Sequence, residues 1–251
     1  MYGLAIFIII VVMIFPTRKA KFQTRLFGHR GLYNQDQSIR ENSIEAFQKA
    51  MSHDVGIELD VQLSKDNQVI VFHDDDLKRL FNIELKVSEM DAIELSHYGI
   101  PLFKEVLDLV DAKVALIVEI KPGENDKVLT TKVLELLKEY AGVYYVESFD
   151  PRIVYMVRQF DSSIIRGQLL MPAKKYKNLR TGIFLNSLLY NVLTRPDFIA
   201  VEVELYQKNP MIWLFSLLGG QQIVWTVHAR DYRMTKNLPI IYEFFDARIR
   251  N

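Results

Sequence analysis

Short runs rich in β-branched and aromatic residues alternate along this chain with segments of helical periodicity, and this alternation constrains the fold more than any other feature. The strand-like runs are Arg25–Gly31, Gly56–Leu63, Val69–His73, Val114–Ile120, Gly142–Phe149, Ile164–Leu170, Phe198–Leu205 and Ile223–Val227. Helical patterns lie between most of them: Asn42–Ser52, Phe103–Val110, Lys127–Tyr140, Pro151–Phe160 and Pro210–Leu218. The pattern therefore predicts repeated strand–helix units.

Such repetition is typical of parallel α/β folds, in which each helix returns the chain to the start of the next strand. Eight strand-like runs in a chain of 251 residues favour a closed TIM (β/α)8 barrel over an open sheet. Only Ser64–Asn67 joins the second and third runs, and this is too short for a helical crossover, so the barrel is expected to be irregular there. Asn42 is the predicted N-cap of the first helix, with Glu45 three positions later as in a capping box.

The first residues of the chain form an uncharged, apolar run from Met1 to Thr17. Its length meets the lower limit of about 17–25 residues for a helix that spans a bilayer, so we predict a transmembrane anchor over residues 1–17. A cleaved signal peptide is one alternative, but no basic residue precedes the run; a buried structural helix is the other, which the missing polar face disfavours. The basic juxtamembrane segment, residues 18–25, favours a cytoplasmic location for the barrel domain, residues 26–251.

The charge balance and the absence of cysteine exclude some kinds of partner and site. Lys+Arg and Asp+Glu both number 31, so no basic field indicates a nucleic-acid partner. The chain has no cysteine, which excludes disulfides and thiolate metal ligands. Any metal site must therefore use oxygen or imidazole ligands.

Paired polar residues in two of the predicted strands indicate such a site. Glu58 and Asp60 are two positions apart in "GIELDVQL" and therefore lie on one face of their strand, as do Glu119 and Lys121 in "VALIVEIKP". An isolated pair of carboxylates is more often found on a solvated edge or in a salt bridge. In a barrel, however, two such strands bring like charges together at one rim, and a hard divalent cation with oxygen ligands would relieve their repulsion.

Two histidines lie at the ends of predicted strands, His29 in "FGHRG" and His73 in "VIVFHDD". Imidazoles titrate near neutral pH, so a pair at the barrel mouth could divide the roles of general acid and general base. Arg30 could offer its guanidinium to a phosphate group. His228 follows the last strand-like run, and its position leaves a place at the mouth and a surface place equally open.

The segments that contain these residues resemble the glycerophosphodiester phosphodiesterase family. "GHRG" and "ENSIEAFQKAMSHDVGIELDVQLSKDNQVIVFHDDDLKRL" are together similar, in order and spacing, to the long N-terminal signature of that family. Further similar segments are "LIVEIKP", "VESFDPRIVYMVRQ", "IIRGQLL" and "IVWTVH". The resemblance extends from about Leu26 to about Arg230, and it is more specific than a single short motif.

The resemblance implies a TIM barrel of the PLC-like phosphodiesterase type, a divalent ion (Ca²⁺ or Mg²⁺), and hydrolysis of glycerophosphodiesters to glycerol 3-phosphate and an alcohol. It also implies a role for each matching residue of this chain. The implied roles are acid–base catalysis by His29 and His73, metal binding by Glu58, Asp60 and Glu119, phosphate contacts by Arg30 and Lys121, a place beside the metal for Glu41, and an apolar substrate wall formed by Trp225.

Two other functions compete with this interpretation. One is a lysophospholipase D that acts at the same site on membrane lysophospholipids, which would require contact with membrane lipid. The segment Ile183–Leu193 could then form an interfacial helix whose apolar face carries Leu185, Leu188, Leu189 and Val192, although a core-facing helix fits the same pattern. The other is a catalytically inactive, membrane-bound binding module, which the presence of both histidines and all three carboxylates disfavours.

Overall fold

The computed structural model describes residue 8 and residues 11–16, 21–206 and 208–248. Its strands form one sheet that closes on itself. The strands are β1 (Leu26–Gly28), β2 (Gly56–Leu63), β3 (Val69–Val71), β4 (Leu116–Ile120), β5 (Tyr144–Ser148), β6 (Arg166–Leu170), β7 (Phe198–Glu202), β8 (Gln221–Val227) and β9 (Ile240–Tyr242). Within the described residues, every strand except β3 pairs in parallel with two neighbours, and the β1–β2 pairing completes an eight-stranded barrel.

The predicted barrel is confirmed, but two of its strands differ from the prediction. β3 pairs antiparallel to β2 as a hairpin outside the ring, because the four-residue connection Ser64–Asn67 cannot carry a crossover. The eighth barrel strand is instead β9, which pairs with β8 on one side and β1 on the other. The prediction missed this strand because it is three residues long and lies in the segment "PIIYEFF".

Helices cover the outside of the barrel, and the five predicted ones are all present. The helices are α1 (Ile44–Ser52), α2 (Lys78–Phe81), α3 (Ala92–Ser96), α4 (Phe103–Val110), α5 (Asp126–Lys138), α6 (Pro151–Phe160), α7 (Leu179–Asn186), α8 (Asn191–Thr194), α9 (Pro210–Leu217) and α10 (Tyr232–Thr235). The predicted helix over Ile183–Leu193 is wrong as one element, because α7 ends at Asn186 and α8 begins at Asn191. Leu185 and Leu188 are buried, so the predicted apolar face packs into the core.

The start of α1 corrects the predicted N-cap and shows what Asn42 does instead. The Ser43 side chain accepts a hydrogen bond from the Ala46 N–H, which makes Ser43 the cap. Asn42 has a positive φ of 52° and donates through Nδ2 to a carboxylate oxygen of Asp60 at 2.9 Å. In the loop between β1 and α1, Ser43 thus caps the helix and the neighbouring Asn42 hydrogen-bonds to the barrel carboxylate Asp60.

An aromatic cluster fills the lower interior of the barrel. Phe27, Tyr145 and Phe198 are buried there, and Phe22 packs against Tyr145 and Phe198 with ring centroids 4.7 and 5.0 Å apart. Gly167 faces Phe198 so closely that an added Cβ would lie 2.1 Å from its ring. This apolar layer closes one end of the barrel, and polar side chains are left at the other end, beyond the carboxyl ends of the strands.

The N-terminal segment corrects a further prediction. Among the described residues, no helix has both the length and the apolar character needed to cross a bilayer. That finding overturns the predicted single-pass anchor and the membrane localisation based on it. Residues 11–14 are helical, Ile14 is fully buried, and the Arg195 guanidinium donates to the carbonyls of Val12 and Phe15 at 3.1 and 3.2 Å.

The physical reason is that residues 11–16 pack against the barrel: Ile14 is buried, and Arg195 of the barrel domain hydrogen-bonds to their backbone. Residues 1–7, 9, 10 and 17 of the predicted anchor and residues 18–20 of the predicted juxtamembrane segment lie outside the described residues. The domain boundary at residue 26 stays a prediction.

Replacing Phe198 by alanine should lower the free energy of unfolding by about 3–5 kcal/mol, because it leaves a cavity in a closed aromatic layer. Urea unfolding would measure the change. The matched control is Phe160→Ala at the exposed end of α6, which should cost less than about 1 kcal/mol. Equal losses in the two variants would contradict the assignment of this layer as the barrel core.

Candidate active site

Three carboxylates converge at the polar end of the barrel. Glu58 and Asp60 lie on β2, and Glu119 lies directly opposite Asp60 on the neighbouring parallel strand β4. All three are buried, and each offers a carboxylate oxygen within 4.8 Å of the others. The two-residue spacing on β2 and the register with β4 thus place the three predicted metal ligands on one interior face.

Two cations partly balance this negative charge. Lys121, which follows β4, places its Nζ 3.4 Å from Asp60 and 3.1 Å from Glu119. The Arg30 guanidinium lies 3.5 Å from Asp60, and the Arg30 backbone N–H donates to Glu58 at 2.9 Å. Arg30 makes that backbone contact in a left-handed conformation, with φ of 53°, and such strain is often found at functional sites.

The balance is incomplete, and the pKa values of the carboxyl groups reflect this. Burial on its own would raise the pKa of Asp60, but the charges of Lys121, His73 and Arg30 outweigh it and hold that pKa below its usual range. Burial, reinforced by the charges of Asp60 and Glu119, raises the pKa of Glu58 well above its ordinary value. Burial and repulsion from Asp60 also raise the pKa of Glu119, despite the neighbouring Lys121.

A fourth carboxylate, Glu147, lies next to this cluster on β5, opposite Glu119. It is buried, and its Oε2 has no hydrogen-bond partner among the described residues. Burial, followed by the charges of Glu119 and Asp60, raises its pKa well above the ordinary value. Oxygen-only donors with excess negative charge fit a hard divalent cation such as Ca²⁺ or Mg²⁺, so Glu58, Asp60 and Glu119 could hold one.

The two predicted histidines lie close enough to Asp60 to interact with its charge, and each is hydrogen-bonded to another acid. His29, after β1, donates through Nδ1 to Glu243 at 3.1 Å. His73, after β3, donates through Nδ1 to Asp74 at 2.6 Å. These bonds leave Nε2 of each ring for exchange with a substrate. Burial, followed by the charge of Arg30, lowers the pKa of His29 although Glu243 opposes the change.

Glu41 connects the site to its surroundings. Its buried carboxylate accepts from Arg30 at 2.6 Å and from two guanidinium nitrogens of Arg79 at 2.8 and 2.5 Å. Arg79 also donates to Asp74 at 2.6 Å. Arg30 therefore connects Glu41 to the carboxylate cluster, and Glu41 links the Arg30 side of the mouth to the side that carries His73.

Trp225 and His228 lie on the far side of the mouth. Trp225 is opposite Glu202 in the β7–β8 register and packs edge-on against Phe149, with ring centroids 5.5 Å apart. His228 Nε2 lies 3.7 Å from Glu243, which places this histidine at the mouth.

Sequence reasoning missed several residues of this site, among them Glu243, Asp74 and Glu147. Asp74 directly follows the predicted strand that ends at His73, and Glu147 lies within the predicted strand Gly142–Phe149. The strand-end argument could therefore have included both. Glu243 could have been found only if "PIIYEFF" had been predicted as a strand, because it directly follows β9. The Tyr33 hydroxyl also donates to Glu243, from the β1–α1 loop.

Comparison with known proteins gives consistent results. The model of the glycerophosphoryl diester phosphodiesterase family matches residues 29–241. A glycerophosphodiester phosphodiesterase of Caldanaerobacter subterraneus subsp. tengcongensis is 30% identical over 236 residues, which cover 83% of this chain and 88% of that protein.

Two solved structures are similar in fold. The crystal structure of a glycerophosphodiester phosphodiesterase from Thermotoga maritima has a TM-score of 0.69 and 26% identity, covering 89% of this chain and 96% of that chain. An Oleispira antarctica phosphodiesterase in complex with the product sn-glycerol-3-phosphate has a TM-score of 0.72 and covers 90% of this chain and 95% of that chain. At 18% identity, this similarity is evidence for a shared fold alone.

Replacing Glu147 by glutamine should stabilise the metal-free protein at about pH 8 and have little effect near about pH 4. Because burial raises the pKa of Glu147, the folded state holds this proton more tightly than the unfolded chain does. The stability that protonated Glu147 contributes to the folded state is therefore present at low pH, and it is lost as the pH rises above the ordinary pKa of glutamate and through the raised pKa of Glu147. Thermal unfolding with a chelator present should show a gain of about 2–4 °C per kcal/mol at the higher pH.

Glu139→Gln, at the exposed end of α5, is the matched control and should leave the melting temperature unchanged at both pH values. A lower melting temperature for Glu147→Gln at both pH values would show that the carboxylate is needed in its ionised form.

Proposed function

The chain belongs to the glycerophosphoryl diester phosphodiesterase family, and we propose that its catalytic residues are those gathered at the mouth of the barrel. It is a phosphoric diester hydrolase that hydrolyses glycerophosphodiesters to glycerol 3-phosphate and an alcohol, and its family is metal-dependent. The observation that carries the assignment of residues is the buried carboxylate cluster between two histidines that are each hydrogen-bonded to an acid. The catalytic domain that we propose is residues 26–251.

In this proposal, Glu58, Asp60 and Glu119 hold one divalent cation, either Ca²⁺ or Mg²⁺. The excess of carboxylates over cations supports it, because three buried carboxylates converge where, among the described residues, only Arg30 and Lys121 lie close enough to pair with them. When bound, the cation would neutralise phosphoryl oxygens and lower the pKa of the attacking hydroxyl group.

Arg30 and Lys121 bind the phosphate group of the substrate. Both cations are largely buried, and neighbouring acids raise the pKa of each despite its burial, so both stay charged. Glu41 and Arg79 keep the Arg30 side chain in place, because the two guanidinium groups share the Glu41 carboxylate. Trp225 forms the apolar wall on the opposite side of the mouth.

His29 acts as the general base and His73 as the general acid. Burial lowers the pKa of His29, which favours the neutral ring that can take a proton from the glycerol 2-hydroxyl. His73 is more exposed, and its Nδ1 bond to Asp74 leaves Nε2 to donate a proton to the leaving alkoxide. Glu243 and Asp74 fix which nitrogen of each ring faces the substrate.

A second candidate is lysophospholipase D activity at the same site. The observation that favours it is the exposed apolar surface of α7, where Leu179, Ile183 and Phe184 are each more than half exposed. Helix α7 follows the short helix Ala173–Lys175, and Lys175 contacts Glu202 at the end of β7. An acyl chain that left the mouth on this side would therefore meet apolar side chains.

The direct test offers glycerophosphocholine, glycerophosphoethanolamine, glycerophosphoglycerol and a lysophospholipid to the purified protein, with Ca²⁺, Mg²⁺ or a chelator. We expect glycerol 3-phosphate from the glycerophosphodiesters and a loss of activity with the chelator. Release of lysophosphatidate from the lysophospholipid would support the second candidate. No turnover of any substrate with either metal would refute the proposed function.

Replacing His29 or His73 by alanine should lower kcat by about 10²–10⁴-fold, because each change removes one proton-transfer group. The melting temperature should stay close to that of the wild type, since neither side chain belongs to the apolar core. His97→Ala, on the loop after α3, serves as the control and should keep full activity. If His29→Ala or His73→Ala keeps more than about a tenth of wild-type kcat, that histidine is not the proposed acid or base.

A further inference from the structure

Glu147 extends the row of carboxylates in the candidate active site by one strand. Asp60 lies opposite Glu119 in the β2–β4 register, and Glu119 lies opposite Glu147 in the β4–β5 register. Neighbouring strands of a sheet are about 4.8 Å apart, and residues that lie opposite each other face the same side of the sheet. These three acids therefore form one row across three strands on the interior of the barrel.

The charge of Glu147 has no partner of opposite sign among the described residues. Glu147 is 2% exposed, and its Oε2 has no hydrogen-bond partner there. The charged neighbours that act on it are Glu119 and Asp60, and both repel it. Lys121 lies 3.4 Å from Asp60 and 3.1 Å from Glu119, so it pairs with the first two carboxylates of the row. The third carboxylate of the row is left unpaired.

A packing role does not account for an acid at this position. A buried carboxylate without a partner is costly, whereas a glutamine has nearly the same size and carries no charge. A divalent cation with oxygen ligands removes that cost, because its charge attracts every carboxylate around it. The Glu147 carboxylate therefore has the surroundings of a cation ligand.

We propose that Glu147 is a fourth carboxylate ligand of the proposed cation site and that it makes this site prefer Ca²⁺ to Mg²⁺. The inference rests on the proposed function, which includes that cation. Ca²⁺ takes about six to eight oxygen ligands in a flexible arrangement, whereas Mg²⁺ requires a nearly ideal octahedron and usually binds about one or two carboxylates. A fourth carboxylate therefore supplies an oxygen that suits Ca²⁺ better than Mg²⁺.

The side chain of Glu147 has to approach the other ligands when the cation binds. Glu58, Asp60 and Glu119 each offer an oxygen within 4.8 Å of the others, and Glu147 is not part of this group. Repulsion from Glu119 and Asp60 opposes a closer approach of Glu147. A divalent cation removes this opposition, because its attraction for each carboxylate exceeds the repulsion between them.

Isothermal titration calorimetry of the full chain with CaCl₂ and with MgCl₂ measures the two dissociation constants. We expect the wild type to bind Ca²⁺ about tenfold more tightly than Mg²⁺, since the site offers four carboxylates. Glu147→Gln should weaken Ca²⁺ binding by about 10–100-fold and Mg²⁺ binding by less than about threefold. Glu147→Asp keeps the charge on a shorter side chain, and its Ca²⁺ affinity should lie between those of the wild type and Glu147→Gln. Thermal unfolding with a chelator verifies that each variant is folded.

The matched control and a second measurement separate a ligand from a general effect of charge. Glu202→Gln removes another largely buried acid of the mouth, one that Lys175 contacts, and should change neither dissociation constant by more than about twofold. Addition of Ca²⁺ should raise the melting temperature less in Glu147→Gln than in the wild type, because the stabilisation by a ligand falls as its dissociation constant rises.

The outcomes separate this inference from the proposed function. The same Ca²⁺ dissociation constant in the wild type and in Glu147→Gln would overturn the inference while the cation site of the proposed function stands. An equal loss of Ca²⁺ affinity in Glu202→Gln would also overturn it, because it would assign the effect to the total charge of the mouth. An equal loss for Ca²⁺ and Mg²⁺ in Glu147→Gln would overturn the preference for Ca²⁺. A wild type that binds neither ion would contradict the cation site of the proposed function itself.

Discussion

The structure depends on the placement of several carboxylates in a closed, largely apolar barrel. Transfer of a carboxylate from water into a protein interior costs several kcal/mol unless a cation or hydrogen bonds compensate for it. Arg30 and Lys121 compensate for Asp60 and thereby hold its pKa low, but the pKa values of Glu58 and Glu147 are raised. The barrel mouth is therefore short of positive charge, which favours the binding of a cation there. The aromatic layer beneath it, around Phe198, supplies the packing that offsets the cost.

The irregular part of the barrel brings several charged and polar side chains to the mouth. A regular crossover after β2 would have placed another parallel strand beside it, whereas the β2–β3 hairpin turns the chain back toward the mouth. His73 and Asp74 follow β3 at once, and Arg79 lies on the short helix α2 soon after. Arg79 then bonds to Glu41, which holds Arg30. The departure from the ideal barrel thus places His73 at the mouth and, through Arg79 and Glu41, holds the Arg30 guanidinium in position.

Local patterns in the sequence predicted those features that depend on neighbouring residues. The two-residue spacing of Glu58 and Asp60 determines a shared strand face, and the apolar run before Glu119 determines a buried strand. Features that depend on distant partners were not predictable in this way. Three residues of β9 form a strand only because β1 and β8 offer hydrogen bonds on both sides, and Glu243 reaches His29 only as a result. The apolar N-terminal run suggested a lipid environment, whereas Ile14 is buried against the protein.

The charged side chains of the mouth are separated into two regions. Arg30, Lys121 and Arg79 lie on the β1–β4 side, where they would stabilise an anionic phosphate. Glu202, Glu204 and Asp231 lie on the β7–β9 side, where Lys175 contacts both glutamates and Arg230 lies 3.6 Å from Asp231. This separation would direct a phosphate toward the β1–β4 side before it makes any close contact.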